Sequence, residues 1–183
     1  MDGDQVAGVI EGYGGFWNET FSGTINENGE AVFSTDWFGD FTLVLTDHTF
    51  KSKSSELSFC GIRSDVTEEL PAGCGFSGKW LVPSKSVFLP GSYIILKQVG
   101  DQVTGDLYNG TDSIYDSFTG EVEWGKGWRA NGTSSQRGEL TLGINPGETG
   151  FEFLYGNQGN SQQLCAVREG QPGAYLGSYT CTP

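Results

Sequence analysis

Basic residues, histidine and long apolar stretches are all scarce in this chain. Its 183 residues include 10 Lys and Arg against 23 Asp and Glu, which gives a formal net charge of -13. Binding of nucleic acid depends on a cluster of basic side chains, so we expect no DNA or RNA partner. No run approaches 18 apolar residues, so we expect no membrane-spanning segment either.

Common catalytic motifs are also missing. The single histidine, His48, lies in Thr46-Asp47-His48-Thr49, a segment typical of a hairpin turn. The sequence has no Gly-x-Ser-x-Gly elbow, phosphate loop or His-Glu-x-x-His motif. We therefore assign no catalytic residue, no metal ligand and no cofactor. One alternative stays open: Glu121 and Glu123 share a strand face and would be the paired carboxylates of a carbohydrate-active hydrolase.

Four cysteines are present, and none forms the Cys-x-x-Cys pair expected of a structural zinc site. They are Cys60, Cys74, Cys165 and Cys181. Disulfides are the favoured interpretation, and the repeat described below favours two local bridges, 60 with 74 and 165 with 181. Four reduced cysteines in a cytosolic protein are the alternative.

The localisation follows from the predicted disulfides and from three Asn-x-Ser/Thr sequons. These would carry glycans on Asn18, Asn109 and Asn131. We expect an exported protein, extracellular or at the cell surface. Residues 1–4 lack the features of a signal peptide, so either the protein is cytosolic or Met1 replaces a removed leader.

Short segments that alternate apolar and polar residues run through the chain, separated by many of its 29 glycines. This period of two is typical of half-buried antiparallel strands. Hairpin turns are indicated at 27–29 and 100–101. We predict an all-β antiparallel meander that forms a barrel or a sandwich. The predicted strands are 6–10, 20–25, 30–34, 40–45, 49–53, 57–63, 78–82, 92–99, 102–108, 117–124, 128–132, 139–144, 150–155 and 163–168.

Three segments of the first half recur in the same order in the second half, as in an internal duplication. The matched segments are 21–25 with 118–122, 39–43 with 138–142, and 59–63 with 164–168. We divide the chain into a shortened first repeat, 1–75, and a complete second repeat, 76–183, with one fused domain as the alternative. Arg63 and Arg168 end the two copies, where we expect them to anchor a loop by pairing with carboxylates.

The first copy lacks a strand or hairpin of the second, which leaves an open sheet edge. One explanation is that the two halves form a single closed or sandwiched sheet system, since strands close in sequence tend to be neighbours in space. The other explanation is strand donation, in which residues 4–10 of one molecule complete the sheet of the next.

In the second half, Gly78-Lys79-Trp80 is followed by the strand pattern of 94–105 and by Phe118-Thr119-Gly120. This order of motifs resembles the meander of avidin-like and lipocalin-like barrels. In such barrels a Gly-x-Trp opens the first strand, and successive strands end in Thr-Gly or Ser-Gly. The resemblance covers about residues 76–168. It implies an up-and-down antiparallel barrel with an interior cup.

Aromatic side chains carry the leading functional hypothesis. The chain has five Trp, seven Tyr and 12 Phe, and exposed rings stack on sugars or close over apolar ligands. We predict a secreted, non-catalytic β-protein that binds a glycan or a small apolar ligand. The candidate ligand-binding residues are Trp37, Trp80, Tyr93, Tyr108, Trp124 and Trp128. The alternatives are a structural subunit of an extracellular fibre, assembled by N-terminal strand donation, and the hydrolase.

Overall fold

The protein is all-β and divides into two compact units, Met1–Val66 and Thr67–Pro183. The computed structural model describes residues 5–12, 17–36, 39–53, 60–63, 65–83, 90–123, 129–145, 147–155, 162–177 and 180–183. All pairs of neighbouring strands in the described structure are antiparallel, as the alternating sequence pattern predicts.

The first unit contains an open six-stranded sheet. Its strands are β1 (Gln5–Gly12), β2 (Trp17–Ile25), β3 (Glu30–Thr35), β4 (Gly39–Leu45), β5 (Thr49–Ser52) and β6 (Cys60–Ile62). They pair in chain order, so β1 and β6 are the two edges of what we call the open sheet. Its inner face carries a small core of Ala31, Phe33, Phe41 and Leu43.

The second unit contains a closed eight-stranded barrel. Its strands are β7 (Gly78–Leu81), β8 (Tyr93–Val99), β9 (Gln102–Tyr108), β10 (Ile114–Glu123), β11 (Arg129–Ser134), β12 (Gly138–Ile144), β13 (Gly150–Tyr155) and β14 (Gln162–Arg168). They run up and down in chain order, and β14 pairs with β7 to close the barrel. A two-stranded ribbon, β15 (Ala174–Tyr175) with β16 (Thr180–Cys181), follows the barrel.

The barrel interior is filled by side chains. Trp80 and Phe151 are fully buried there, with ring centroids 4.8 Å apart, and Leu96 and Val103 are also inaccessible. A cavity of about 20 Å³ lies among the described interior residues, which is room for about one water molecule. The interior cup implied by the resemblance is therefore not formed by the described residues, because apolar side chains fill the space.

All fourteen predicted strands have a counterpart in the structure, and the predicted hairpin glycines have positive φ, 73° at Gly29 and 56° at Gly100. The first unit ends at residue 66, whereas the sequence prediction divided the chain at 75/76. The intervening segment contacts the barrel, since Leu70 N donates to Gln98 O at 2.8 Å. The second half closes a barrel by itself, so the described strands of the two halves do not share one closed sheet.

The part of the chain that the structure describes holds no helix with the length and apolar character needed to cross a bilayer.

Candidate functional site

The open sheet repeats the strand register of six barrel strands. Gly8 of β1 lies opposite Phe21 of β2, and Gly105 of β9 lies opposite Phe118 of β10. Gly8 and Gly105 are 97 residues apart, and so are Phe21 and Phe118, which is the offset between the matched segments 21–25 and 118–122. Strand β1 is thus the counterpart of β9, and β2 is the counterpart of β10.

The same equivalence continues to the last strand of each unit. Thr35 pairs with Gly39 at the β3–β4 hairpin, as Ser134 pairs with Gly138 at the β11–β12 hairpin. The two glycines have φ of 68° and 80°, in the left-handed region that favours glycine. At the end of each series, residue 60 pairs with residue 51, as residue 165 pairs with residue 152. Strands β1–β6 therefore match β9–β14 pair by pair.

Two barrel strands, β7 and β8, have no counterpart among the described residues of the first unit. In the barrel, β8 pairs with β9 along seven residues, from Tyr93–Tyr108 to Val99–Gln102. The corresponding side of β1 has no neighbouring strand in the described sheet. Such an edge presents a row of main-chain N–H and C=O groups to another strand. This edge of β1 is the candidate functional site.

The chemistry of β1 leaves that edge unprotected. The segment from Gln5 to Ile10 contains no charged residue and no proline, the two devices that commonly block edge pairing. Its side chains alternate: Val6 packs against the inner core, while Ala7 and Val9 are exposed on the other face, Val9 by 55%. The strand is eight residues long and has one charged residue, Glu11, next to its end; its uncharged stretch of six residues is well suited to pair with another strand.

The inner side of the edge is already covered by a ring from the same sheet. The Phe21 Cζ lies 2.6 Å from the position that a Cβ on Gly8 would take, so the ring rests on the glycine. In the barrel, the equivalent space above Gly105 is filled by Leu96 from the neighbouring strand β8. Phe21 therefore occupies the space that a side chain from a neighbouring strand fills in the barrel.

The opposite edge of the open sheet is β6. Its described pairing covers three residues, Cys60–Ile62, against β5. Beyond it, Arg63 N donates to His48 O at 2.9 Å, and the guanidinium donates to the Asp65 carboxylate at 2.7 and 3.0 Å. His48 is an exposed turn residue, as the sequence predicts. The hydrogen bond from Arg63 holds the pKa of Asp65 below its usual range.

Three of the six predicted ligand-binding rings lie in the described part of the barrel: one is in the core and the other two form a stacked pair. Trp80 is fully buried: its Nε1 donates to Phe76 O at 2.9 Å, and the Arg168 guanidinium carbon lies 4.0 Å from the ring centroid. Trp80 is thus a core residue of the barrel, and its assignment to a ligand site stays a prediction. Trp37, Trp124 and Trp128 lie outside the described residues.

The remaining two candidates, Tyr93 and Tyr108, form a stacked pair with ring centroids 4.8 Å apart. The Lys79 Nζ also contacts the Tyr93 ring, at 4.7 Å from its centroid, and the Tyr93 hydroxyl donates to Asp112 at 3.0 Å. Desolvation and the Asp112 carboxylate raise the pKa of Tyr93. The Tyr93 ring thus already has two neighbours that a stacking sugar would have to displace.

The hydrolase candidates lie apart from any described pocket. Glu121 accepts a hydrogen bond from the Gln102 amide at 2.9 Å, and Glu123 accepts one from the Asn131 amide at 3.0 Å. Their neighbour Val122 is buried in the barrel, so these carboxylates stand on its outer face. No group of three or more His, Cys, Asp or Glu among the described residues is arranged to hold a metal ion.

The sequons fall in different settings. Asn131 lies in β11, with its side chain on the exposed face. Asn109 lies in the β9–β10 turn, where its Oδ1 accepts bonds from Thr111 N and Ser113 N at 3.0 Å. The Asn18 side chain lies outside the described residues. Glycosylation of the three stays a prediction.

The cysteines are all in disulfides. Cys165 is bonded to Cys181, 16 residues away, with a Cα–Cα distance of 6.2 Å. This is one of the two local bridges that the sequence predicts, and it ties the ribbon to β14. Cys60 and Cys74 are also disulfide-bonded, so no cysteine is free. Two disulfides in a chain of this size favour an oxidising compartment.

A buried arginine holds the barrel at its closure. Arg168 donates to the carbonyl oxygens of Glu148, Ser77 and Gly75 at 2.6, 2.9 and 2.7 Å. The Glu148 carboxylate lies 4.0 Å from this guanidinium and accepts a bond from Gly75 N at 3.0 Å. Burial lowers the pKa of Arg168 to about 10. The predicted loop anchor is therefore present, with backbone carbonyls as its main partners.

No family model, curated protein or solved structure matches this chain. The fold defines its class: an all-β antiparallel protein in which a closed up-and-down barrel follows an open sheet of the same strand register. The barrel type agrees with the sequence resemblance, while membership of an avidin-like or lipocalin-like family has no support from the comparisons. The sequence analysis pointed to an open edge and to residues 4–10, but as a strand donated to a neighbour and not as an edge strand that keeps its own pairing.

Proposed function

We propose that the protein is an extracellular, non-catalytic structural subunit that self-assembles by extending the open sheet at its edge. One observation carries this proposal: β1–β6 match β9–β14 in register but lack the two strands that close the barrel. Sheet edges of this kind associate by main-chain hydrogen bonding, which requires no particular ligand or catalytic group. The four disulfide-bonded cysteines support an extracellular setting.

Charge restricts where two copies can meet. A chain with net charge -13 repels its own copies over most of its surface, so stable contact requires an uncharged region. The outward side of β1 meets this requirement, because residues 5–10 carry no charge. Added salt screens the repulsion, and the Debye length falls to about 10 Å at 0.1 M ionic strength. Assembly should therefore strengthen with salt.

The mode of assembly is extension of a sheet, and it differs from the N-terminal strand donation considered from sequence. Residues 5–12 are already paired with β2 along eight residues of their own sheet. A donated strand would have to give up those pairs before entering a neighbour. Pairing through the free side of β1 keeps them, so the proposal requires no unfolding of the subunit.

Ligand binding through aromatic side chains has weaker support. Trp80 is in the core, Tyr93 is covered by Lys79 and Tyr108, and the barrel interior holds a cavity for about one water. None of these features is a pocket sized for a sugar, and Trp37, Trp124 and Trp128 lie outside the described residues. Glycan or apolar-ligand binding stays a prediction that rests on the sequence.

The test is size-exclusion chromatography with light scattering on the full, non-reduced chain, followed by negative-stain microscopy. We expect species larger than the 19.7 kDa monomer, with a fraction that rises with protein concentration and with salt. A monomer at every concentration and salt level would contradict the proposal. Binding of glycans by that monomer, followed by Trp fluorescence, would instead favour the ligand-binding alternative.

A further inference from the structure

We infer that the strand which pairs with β1 is β1 of a second copy, antiparallel and centred on Gly8, so that the chain forms a two-fold dimer. This inference rests on the proposed function and specifies its partner. Two-fold contacts of this type are isologous, because each copy contributes the same surface. Three properties of the edge lead to it: its length, its direction and the space above Gly8.

Length makes β1 a suitable partner for itself. The strand is described over eight residues. Pairing β1 with β1 allows up to eight residues to take part, and a long pairing satisfies more of the edge N–H and C=O groups.

Direction follows from the barrel. The strand beside β9, the counterpart of β1, is β8, and it runs antiparallel to β9. An incoming strand at the equivalent position of β1 should run the same way. A two-fold axis perpendicular to the sheet sets two copies of β1 antiparallel. The symmetry of a dimer thus reproduces the direction that the barrel uses at this position.

The space above Gly8 sets the register. In the barrel, residue 96 of β8 lies opposite Gly105 and places a leucine side chain over that glycine. Above Gly8 this space is taken by the Phe21 ring, so the residue opposite Gly8 needs a small side chain. The described inner-face residues of β1 are Val6 and Gly8. A second copy meets the requirement when its Gly8 lies opposite the first.

This register defines the outer-face neighbours. When Gly8 faces Gly8, residues whose numbers sum to 16 lie opposite one another, so Ala7 of one copy faces Val9 of the other. Both side chains are exposed in the isolated chain, Val9 by 55%. Directly opposed residues point to the same face of a sheet, so the inner faces of both copies stay on one side. Two Ala7–Val9 pairs flank the axis in each dimer.

The first experiment compares two substitutions of the same type in analytical ultracentrifugation of the full chain. Val9→Glu puts a carboxylate on the edge, while Val44→Glu makes the same change on β4, inside the sheet, at a similar exposure of 41%. We expect Val9→Glu to weaken dimerisation about tenfold or more, since two symmetry-related pairs change. Val44→Glu should leave it within about twofold, since surface substitutions have small effects. Equal effects of the two would overturn the β1 interface.

The second experiment tests the register with Ala7→Lys. Alone, it should weaken the dimer, because it adds an unpaired charge to the edge. Mixed with Val9→Glu, it should form a heterodimer tighter than either homodimer, because the new ammonium faces the new carboxylate across the interface. No preference for the heterodimer would overturn the centring on Gly8. Hydrogen exchange of β2–β4 amides checks that each variant is folded.

The outcomes separate this inference from the proposed function. A dimer that responds to Val9→Glu and not to Val44→Glu supports both. Regular filaments would support self-assembly and overturn the two-fold pairing, because a closed dimer cannot propagate. A monomer at all concentrations would contradict the proposed function itself, and the dimer would fall with it.

Discussion

The barrel and the open sheet share six strands in one register, but the described structure closes only the barrel. Closure is achieved by β7 and β8, which add Trp80 and Leu96 to the interior and pair with both ends of the six-strand series. The open sheet covers its inner face with its own rings instead, Phe21 over Gly8 and Phe50 over Gly61. The comparison shows that a repeated strand pattern fixes pairing, while closure depends on the additional strands.

The two arginines at the ends of the repeats show the same contrast. Arg168 is buried at the barrel closure and is bonded to three carbonyl oxygens. Arg63, at the equivalent position of the open sheet, is exposed and pairs with Asp65 in solvent. The two arginines occupy matched positions but differ in environment, because Arg168 packs beside β7 and the described open sheet has no counterpart of β7.

Replacing each of these two arginines should give the largest difference in the free energy of unfolding between the barrel and the open sheet. Arg168→Ala leaves the buried Glu148 carboxylate without its cation, and we expect a loss of about 3–5 kcal/mol in the free energy of unfolding. Arg63→Ala should leave the denaturation midpoint unchanged, because its ion pair is exposed. Urea denaturation followed by Trp fluorescence and circular dichroism measures both. Similar losses in the free energy of unfolding for the two variants would contradict the proposed difference between the barrel and the open sheet.

Matched leucines give a smaller difference. Leu142 pairs with Ala130 in the barrel, and Leu43 pairs with Ala31 in the open sheet, but Leu142 is 2% exposed and Leu43 is 9% exposed. We expect Leu142→Ala to cost about 3–4 kcal/mol and Leu43→Ala about 2 kcal/mol, because the open sheet relaxes more easily around a cavity. Native-state hydrogen exchange reads each unit separately. A larger loss for Leu43→Ala would contradict the account.

The smallest expected effect concerns an exposed ion pair of the open sheet. Lys53 and Asn26 donate to the Glu30 carboxylate at 2.6 and 3.2 Å, and these bonds hold its pKa below the usual value. A carboxyl with a lowered folded-state pKa stabilises the fold above its unfolded pKa, and this stability is lost as the pH falls through the lowered value. Lys53→Met should raise the Glu30 pKa in an NMR titration.

The matched control for that titration is Lys97→Met, which makes the same change of charge in the barrel. It should leave the Glu30 pKa where it is, since surface charges act over short distances in salt. If both variants raised the Glu30 pKa equally, the shift would come from net charge and the specific bond to Lys53 would have no role.

The strands were predictable because each is local. Period-two alternation and hairpin glycines such as Gly29 act over a few residues, so fourteen strands were found within a few residues of their ends. The duplication was predictable because the three matched segments are short and keep the same order in both halves. Their equal strand register followed, since register is set by the alternation of side chains. The local bridge between Cys165 and Cys181 followed from equivalent positions in the repeat.

The alternating pattern alone could not decide between a barrel and a sandwich or show which rings are buried, because both depend on distant pairs. The barrel closes through two residue pairs, Val167 with Leu81 and Arg168 with Trp80, which are far apart in sequence. Without that contact, nothing in Gly78-Lys79-Trp80 distinguishes a buried ring from a ligand contact. The two-residue strands of the ribbon were missed because they are too short to show alternation.

Hydrogen exchange measured on β1 and β9 at low and high protein concentration tests the central claim most directly. The account predicts that protection of the β1 edge amides rises with concentration, because a second copy pairs with them, while protection of the equivalent β9 amides stays constant inside the closed barrel. Protection of β1 that does not change with concentration would contradict the claim that this edge is an assembly surface.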